Sequence, residues 1–319
     1  MTSIVVVGSV NADLVARVPA QPEPGETVLA DSMTVLAGGK GANQAVVAAR
    51  LGGDVALVGA IGSDAFAAAA LPGLRAAGVD LSAVATVPGP TGVALISVDD
   101  DGENTIVVVP GANAAVDADA VERHRDLVAG ADVVVVQGEI PVPGSTAAAR
   151  AARGRVLLNL APVVPVPADV LALADPLVVN GGEAERLLAE ADRPVSDSPL
   201  AVALELQALG PRSVVLTLGA AGAVVLEPGH DGGAPAGGTT SGPGVLGQPV
   251  VVPTPHVEAV DTTGAGDAFV GALAYRIAVG DSLVDAARVA VRVGAFSVAT
   301  PGAQPSFPTA QDELPALRA

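Results

Sequence analysis

The stretch Asp261-Thr262-Thr263-Gly264-Ala265-Gly266-Asp267 places two glycines just before a carboxylate, and an apolar run follows. Glycine leaves the backbone open to close approach by a ligand. Phe269, Val270, Leu273, Ala274 and Ile277 repeat at three- and four-residue spacing, which predicts a helix from Asp267 that Gly280 ends. A glycine turn feeding a helix N-terminus presents unpaired N–H groups and the positive end of the helix dipole, a combination that binds anions. Asp267 stands in the first turn beside that anion hole. On spacing alone two roles fit it: a helix cap, or a base that takes a proton during phosphoryl transfer.

A second glycine cluster, Gly38-Gly39-Lys40-Gly41-Ala42-Asn43, also leads into a helical pattern. It lacks the Ser or Thr that follows the lysine of a P-loop. Lys40 is the only lysine of the chain; every other basic residue is arginine. Either this is an accident of composition, or a compact ammonium on a flexible stem does something here that a guanidinium cannot. His124, His230 and His256 are scattered, without triad order or metal-ligand spacing, and receive no role.

The elements that would position these groups alternate between strand and helix. Residues 4–7, 55–58, 133–136, 156–158, 177–179 and 214–216 read as buried strands. Residues 45–51, 64–77, 145–153, 182–191 and 199–209 read as helices, so a mostly parallel sheet with right-handed crossovers is expected. Two stretches break the rhythm. Residues 12–36 carry Pro19, Pro22, Pro24 and Gly25 with β-prone pieces such as Glu26-Thr27-Val28-Leu29, and residues 91–109 alternate around an Asp99-Asp100-Asp101-Gly102 turn. They read as strands of a small separate sheet, or else as surface loops. Residues 229–247, rich in Gly, Pro, Ser and Thr, read as a flexible loop between edge strands.

In open α/β sheets ligands gather beyond the C-terminal ends of the strands. Asn11 and Asp13 follow the first strand, Gln137 and Glu139 the strand at 133–136, Asn159 the next, Asn180 with Glu183 the one after, and Thr217 with Gly219 the last. Any one of these could be a cap or turn residue. Together they describe an extended cleft for a polar ligand.

Composition narrows the partners. A net charge of -18 speaks against nucleic acid and against an anionic membrane, and no apolar run approaches the ~20 residues of a membrane span. The chain has no cysteine, which removes thiol catalysis and thiolate metal sites and suits a reducing cytoplasm. With aromatics at 2%, Ala, Val and Leu must build the core. No Gly-x-Gly-x-x-Gly follows the first strand, so a dinucleotide-binding oxidoreductase is not indicated.

Taken in order along nearly the whole chain, the motifs resemble the ribokinase-like (PfkB) family of carbohydrate kinases. The resemblance is carried by Gly8-Ser9-Val10-Asn11-Ala12-Asp13, Gly38-Gly39-Lys40-Gly41-Ala42-Asn43-Gln44-Ala45, Gly102-Glu103-Asn104-Thr105 and Pro110-Gly111-Ala112-Asn113-Ala114-Ala115. It continues through Asn159 with Ala161-Pro162, Asn180 with Glu183, Thr217-Leu218-Gly219, residues 261–267 and Gly302-Ala303-Gln304-Pro305-Ser306. It implies a three-layer α/β fold, with a mostly parallel central sheet flanked by helices plus a small β-sheet lid. Residues 1–319 would form one kinase domain, with lid strands in 12–36 and 91–109.

The implied reaction is ATP-dependent phosphorylation of the 5-hydroxyl of D-ribose, in a cytoplasmic homodimer joined through the lid. The alternatives are a kinase for another small sugar or nucleoside, or a sugar sensor without catalysis. Asp267 would be the base, with Gly264, Ala265 and Gly266 forming the anion hole. Asn11, Asp13, Gly39, Lys40, Asn43 and Glu139 would bind the sugar. Asn180, Thr217, Gly219, Gly222 and Gly266 would face the nucleotide, with Glu183 toward Mg²⁺. A K⁺ site would draw on Asp261 and Thr263 and on main-chain groups near Ser297, Thr300, Gly302 and Ser306. The chain departs from the family pattern in the two glycines of Asn180-Gly181-Gly182-Glu183, in Thr300-Pro301, and in the length of residues 229–247.

Overall fold

The structure, a computed structural model, describes residues 3–100, 102–228 and 247–317. The chain opens with β1 (Ser3–Val7), β2 (Asn11–Arg17), β3 (Ser32–Gly38) and α1 (Lys40–Arg50). β4 (Asp54–Ile61), α2 (Ala65–Ala70), α3 (Pro72–Ala77) and β5 (Val84–Thr86) follow, then β6 (Gly92–Val98) and β7 (Asn104–Val109). Next come α4 (Ala118–Arg123), α5 (Arg125–Gly130), β8 (Val133–Gln137), α6 (Val142–Ala151), β9 (Arg155–Asn159) and α7 (Ala168–Leu171). β10 (Ala174–Asn180), α8 (Gly181–Glu190), α9 (Pro199–Ala208), β11 (Val214–Thr217), β12 (Ala223–Leu226) and β13 (Val250–Val252) complete the sheet. The described chain ends with α10 (Ala265–Ala278), α11 (Leu283–Ser297) and α12 (Ala303–Ser306).

Nine strands form the main sheet in the order β13-β12-β11-β10-β9-β8-β1-β4-β5, parallel except where β12 pairs antiparallel with β11 and β13. Strands β3-β2-β6-β7 form a separate sheet, in which β2 and β6 are parallel and the other pairs antiparallel. In the main sheet the chain leaves β1 toward β4 and later returns to its other side at β8. The switch in direction opens a crevice at the C-terminal ends of β1 and β8. Both faces are covered, so the β1 residues alternate between layers: Ile4 and Val6 join the core with α1, α10 and α11, Val5 and Val7 the core with α6, α8 and α9. Among the described residues Phe269 and Phe307 are the only buried aromatics; Val, Leu and Ala fill the rest.

Several expected elements change. Residues 26–29 form no strand, and Leu29 is 85% exposed: the prolines upstream withhold N–H donors, and β3 pairs with β2 only from Ser32 onward. The helix expected over 64–77 is two, because Pro72 ends α2 and takes the first-turn position of α3. Helix α1 starts five residues before Ala45. Gly39, at φ +88°, makes the whole turn from β3 and puts Lys40, Asn43 and Gln44 on the helix itself. Asn11 and Asp13, which follow the first strand in sequence, lie on β2 of the small sheet. The loop expected over 229–247 lies outside the described residues except at Gly247; β12 and β13, the strands before and after it in sequence, stand at the sheet edge. No helix among the described residues is long and apolar enough to cross a membrane.

Helices α1 and α10 cross in close contact at Gly271, where a β-carbon would stand 2.6 Å from Gln44 O and 2.7 Å from Val47 Cβ. Alanine ordinarily favours a helix interior over glycine by about 0.5–1 kcal/mol. Here that gain is outweighed by overpacking, which costs about 1–3 kcal/mol. Gly271→Ala should therefore unfold at lower urea concentration than the parent; a higher midpoint would mean the helices are free to separate.

Candidate functional site

Asp267 is buried in the first turn of α10 and makes no cap. Its oxygens instead accept from α1: Asn43 Nδ2 donates to Oδ2 and Gln44 Nε2 to Oδ1, each at 2.9 Å. Gln44 is itself held by Gln137 Nε2 at 2.7 Å and reaches Asn159 Oδ1 at 3.0 Å. Gly264 supplies the turn into α10 at φ +76°, and a β-carbon there would stand 2.7 Å from Ala303 Cβ. Gly266 has open space above it. The glycine turn thus offers bare backbone beside a fixed carboxylate.

A cluster of charge lies across the crevice. Burial opposes the Lys40 ammonium, yet the negative charges of Asp267, Glu139, Glu183 and Asp13 outweigh it and raise its pKa. Lys40 makes no ion pair among the described residues, so its charge is shared rather than spent on one carboxylate. Glu139 Oε2 accepts from Ser9 Oγ at 2.5 Å and from Lys40 N at 3.0 Å. Asn11 is fixed by Asn113 Nδ2 at 2.7 Å, and Gly39 lies so close that a β-carbon would approach Asn11 N to 2.8 Å. Asp13 is pushed up to about 7 by burial first, then by Glu139 and Asp267, with Lys40 offsetting part. Its Oδ1 is buried without a partner. The expected sugar-side residues Asn11, Asp13, Gly39, Lys40, Asn43 and Glu139 therefore converge.

Beyond Gly266 a cavity of about 440 Å³ is lined by Asn180, Thr217, Gly219, Gly222, Thr262, Ala265, His256 and apolar residues including Phe269 and Val291. The nucleotide-side residues expected from sequence lie together here. Positive φ at Gly219 and Gly222 turns the backbone away from the wall, and a β-carbon on Gly222 would overlap Val252 O. Asn180 and Glu183 form a capping box at α8 through Glu183 N to Asn180 Oδ1 at 2.9 Å and Asn180 N to Glu183 Oε2 at 2.8 Å. Burial raises the Glu183 carboxyl despite that backbone bond. His256, given no role from sequence, lines this cavity, because its loop returns from the sheet edge past β12; nothing local to it signals that.

Asp261 ties two loops: Oδ1 accepts from Thr263 N at 2.9 Å and Oδ2 from Gly302 N at 2.7 Å. Burial opposes its charge, but hydrogen bonds from Thr263 and Gly302 prevail and hold its carboxyl below the usual range. Val260 N and Asp261 N both donate to Val298 O, at 2.8 and 3.1 Å. Ser297 and Ser306 donate their hydroxyls to Gly294 O and Ala303 O, Ser297 O accepts from Thr300 N at 3.5 Å, and Thr300 is exposed. Gln304, quoted in sequence only as part of a motif, donates to Asn43 Oδ1 at 3.0 Å and links this loop to the Asp267 network.

The description "pfkB family carbohydrate kinase" belongs to a family model that matches residues 1–310. Ribokinase of Schizosaccharomyces pombe is 36% identical over 97% of this chain and 96% of its own length. Ribokinase of Haemophilus influenzae is 34% identical over 98% of this chain and 97% of its own. Among solved structures, ribokinase of Thermotoga maritima superposes with a TM-score of 0.85 at 30% identity, covering 98% of this chain and 97% of that one. Arabidopsis thaliana ribokinase complexed with ribose and ATP superposes with a TM-score of 0.83 at 31% identity, covering 98% and 97%.

The raised pKa of Asp13 has a sign that stability can read. Its folded pKa of about 7 stands above the ordinary 3.8, so the unfolded chain releases this proton first and stability falls as pH rises between the two. Asp13→Asn removes the penalty. It should raise the melting temperature at pH 8 and do little at pH 4, measured by calorimetry; equal effects at both pH values would mean that the carboxyl is not held in its neutral form by burial.

Proposed function

Because the chain belongs to the pfkB family of carbohydrate kinases, we infer that its crevice transfers the γ-phosphoryl group of ATP to the 5-hydroxyl of D-ribose, giving ribose 5-phosphate. Relatives named ribokinase cover nearly the whole chain, and the Arabidopsis structure named for its ribose and ATP superposes on it. The observation that carries the mechanism is the pairing of Asp267 with the Gly264–Ala265–Gly266 backbone at one helix N-terminus.

A sugar hydroxyl loses its proton only late in the transfer, so a fixed carboxylate 267 accepts it in the transition state, an effect of typically ~10²–10⁴-fold. The backbone amides of Gly264 and Gly266 face the charge on the transferring group, whereas the Ala265 amide, expected from sequence to join them, donates to Thr262 O at 3.1 Å; loss of one free donor costs about 2.7–4 kcal/mol. Most of the remaining work in phosphoryl transfer is positioning and neutralisation. Asn11, Asp13, Asn43, Lys40 and Glu139 hold the sugar hydroxyls, while Asn180, Thr217, Gly219 and Gly222 line the nucleotide cavity. This division into a polar pocket and an apolar-walled cavity, meeting at Gly266 and Asp267, suits one acceptor and one nucleotide.

Among the described residues no three carboxylates or histidines form a metal cage. That fits Mg²⁺, which is usually held by one or two carboxylates and the substrate's phosphates. Glu183, raised by burial and with one oxygen outside the capping box, is the residue that would hold it. Mg²⁺ would neutralise phosphate charge there. Asp261, whose carboxylate is held by the N–H groups of Thr263 and Gly302, is the charged group that would hold a weakly charged ion such as K⁺ between the two loops.

The small sheet serves as the lid and as the contact between two copies in a cytoplasmic homodimer. All six residues of β7 are exposed, and Ile106, Val107, Val108, Val109, Met33 and Leu95 leave its apolar surface bare. An uncovered apolar edge strand is a liability that a partner removes.

Asp267→Asn should fold and bind ATP and ribose, yet lose at least ~10²-fold in turnover. Activity within a few-fold of the parent, assayed across a panel of pentoses, hexoses and nucleosides, would leave Asp267 a purely structural group. K⁺ should raise turnover several-fold over Na⁺ at constant ionic strength, with ATP affinity little changed and a higher melting temperature in K⁺. Equal rates in K⁺, Na⁺ and a bulky organic cation would leave Asp261 as a loop tie alone.

A further inference from the structure

Two chains of buried amides end on the two oxygens of Asp267 and run in the same sense. In one, Gln304 Nε2 donates to Asn43 Oδ1 at 3.0 Å and Asn43 Nδ2 to Asp267 Oδ2 at 2.9 Å. In the other, Gln137 Nε2 donates to Gln44 Oε1 at 2.7 Å and Gln44 Nε2 to Asp267 Oδ1 at 2.9 Å. All four amide side chains are buried. An ionised carboxylate only accepts, so each inner amide must turn its NH₂ toward Asp267 and its oxygen away. The outer amide must then present its own NH₂ to that oxygen. The charge on Asp267 therefore fixes the polarity of both chains link by link.

The outer ends are built alike. Gln304 Oε1 and Gln137 Oε1 are buried without hydrogen-bond partners. Each rests on a glycine: a β-carbon on Gly73 would overlap Gln304 Oε1, and one on Gly8 would overlap Gln137 Oε1. No donor there competes to turn the amides round. The two chains differ in what carries them. Gln137 closes β8 inside the main sheet, whereas Gln304 stands on α12, the short turn of helix in the loop after Gly302. That loop is secured by Arg50, whose Nη1 donates to Gln304 O at 2.7 Å and Phe307 O at 2.8 Å, and by Asp261 at Gly302 N.

We propose that Gln304 is a positioning residue for phosphoryl transfer: by occupying Asn43 Oδ1 it locks the amide that donates to Asp267 Oδ2, and so sets the direction in which the carboxylate offers its free lone pair to the sugar hydroxyl. Gln304 touches neither reacting atom in this assignment; it acts through Asn43. The inference rests on the reading of Asp267 as the base. Released from Gln304, the Asn43 amide can rotate and bring its oxygen toward Asp267, which loses a donor and favours the protonated carboxyl.

Gly73→Ala tests this without altering any side chain of the relay. The added methyl sits in α3, where alanine suits the backbone, and what it meets is the far end of Gln304. Steady-state kinetics should show turnover down by roughly tenfold or more, in line with the sensitivity of a positioned reaction to small displacements. KM for ATP should stay unchanged, and the acid limb of the pH–turnover profile should move to higher pH. Gln304→Leu should do the same, and the double variant should lose no more than the worse single one. Parental turnover and pH profile in both single variants, with Asp267→Asn inactive, would overturn the relay and leave the base intact. Parental activity in Asp267→Asn as well would remove the base and the relay together. A fall in turnover with the acid limb unmoved, or additive losses in the double variant, would make Gln304 a packing residue only.

Discussion

A carboxylate taken out of water must find donors elsewhere, and Asp267 finds both of its donors on another helix, more than two hundred residues away in the chain. Everything that holds α1 against α10 is therefore part of what positions this carboxylate. Gly271 lets the helices approach, Gly39 starts α1 early enough for Asn43 and Gln44 to face α10, and β3 delivers the chain to that turn. The small sheet is not an appendage in this respect. Asn11 pairs with Gly38 across β2 and β3, so the strand bearing Asn11 and Asp13 and the helix bearing Lys40 and Asn43 meet within two residues.

Charge poses the second constraint. On the proposed function, a chain at net -18 accepts a phosphorylated nucleotide beside Asp13, Glu139, Glu183 and Asp267. A single ammonium cannot neutralise that assembly, which explains why the anion-facing groups are backbone dipoles rather than side chains. Lys40 makes no ion pair yet feels four carboxylates, so it tempers the whole crevice. A guanidinium would commit its planar fork to one of them. The only lysine of the chain is thus the ammonium that these four carboxylates share.

Local signals made most of the sheet legible: continuous Val and Leu runs for strands buried on both faces, with glycine and acidic turns between. They failed where an outcome depended on pairing or on one residue's torsion. Glu26-Thr27-Val28-Leu29 looks like strand, but β2 finds its partner three residues beyond it. The span 64–77 has helical spacing throughout, and Pro72 alone divides it. In the site, residues next to glycine motifs were visible because their spacing is local. Gln44 and Gln304 stood in quoted motifs without a role, since an amide in a sequence does not show what it will face across 223 or 261 residues. Glu183 shows a different limit: a capping box can be read from Asn-x-x-Glu, and so can a metal ligand, and one carboxylate can serve both.

The cost of the arrangement is concentrated where it is used. Of the five buried side-chain atoms without a partner among the described residues, three belong to Asp13, Gln137 and Gln304, all within or behind the crevice. The other two, Thr146 Oγ1 and Gln207 Oε1, lie elsewhere. Buried polar groups are otherwise mostly satisfied, as folding requires, and each of the three at the crevice has a reason that stability alone does not supply. On the proposed function Asp13 Oδ1 is an acceptor kept clear for a sugar hydroxyl, on a carboxyl that burial pushes up to about 7. The two glutamine oxygens are left idle so that no outer donor can reverse the amides in front of them. Sequences that fold consistently at every level break their own rules at sites of function. Here two of the broken rules, at Gln137 and Gln304, lie on the path to one carboxylate.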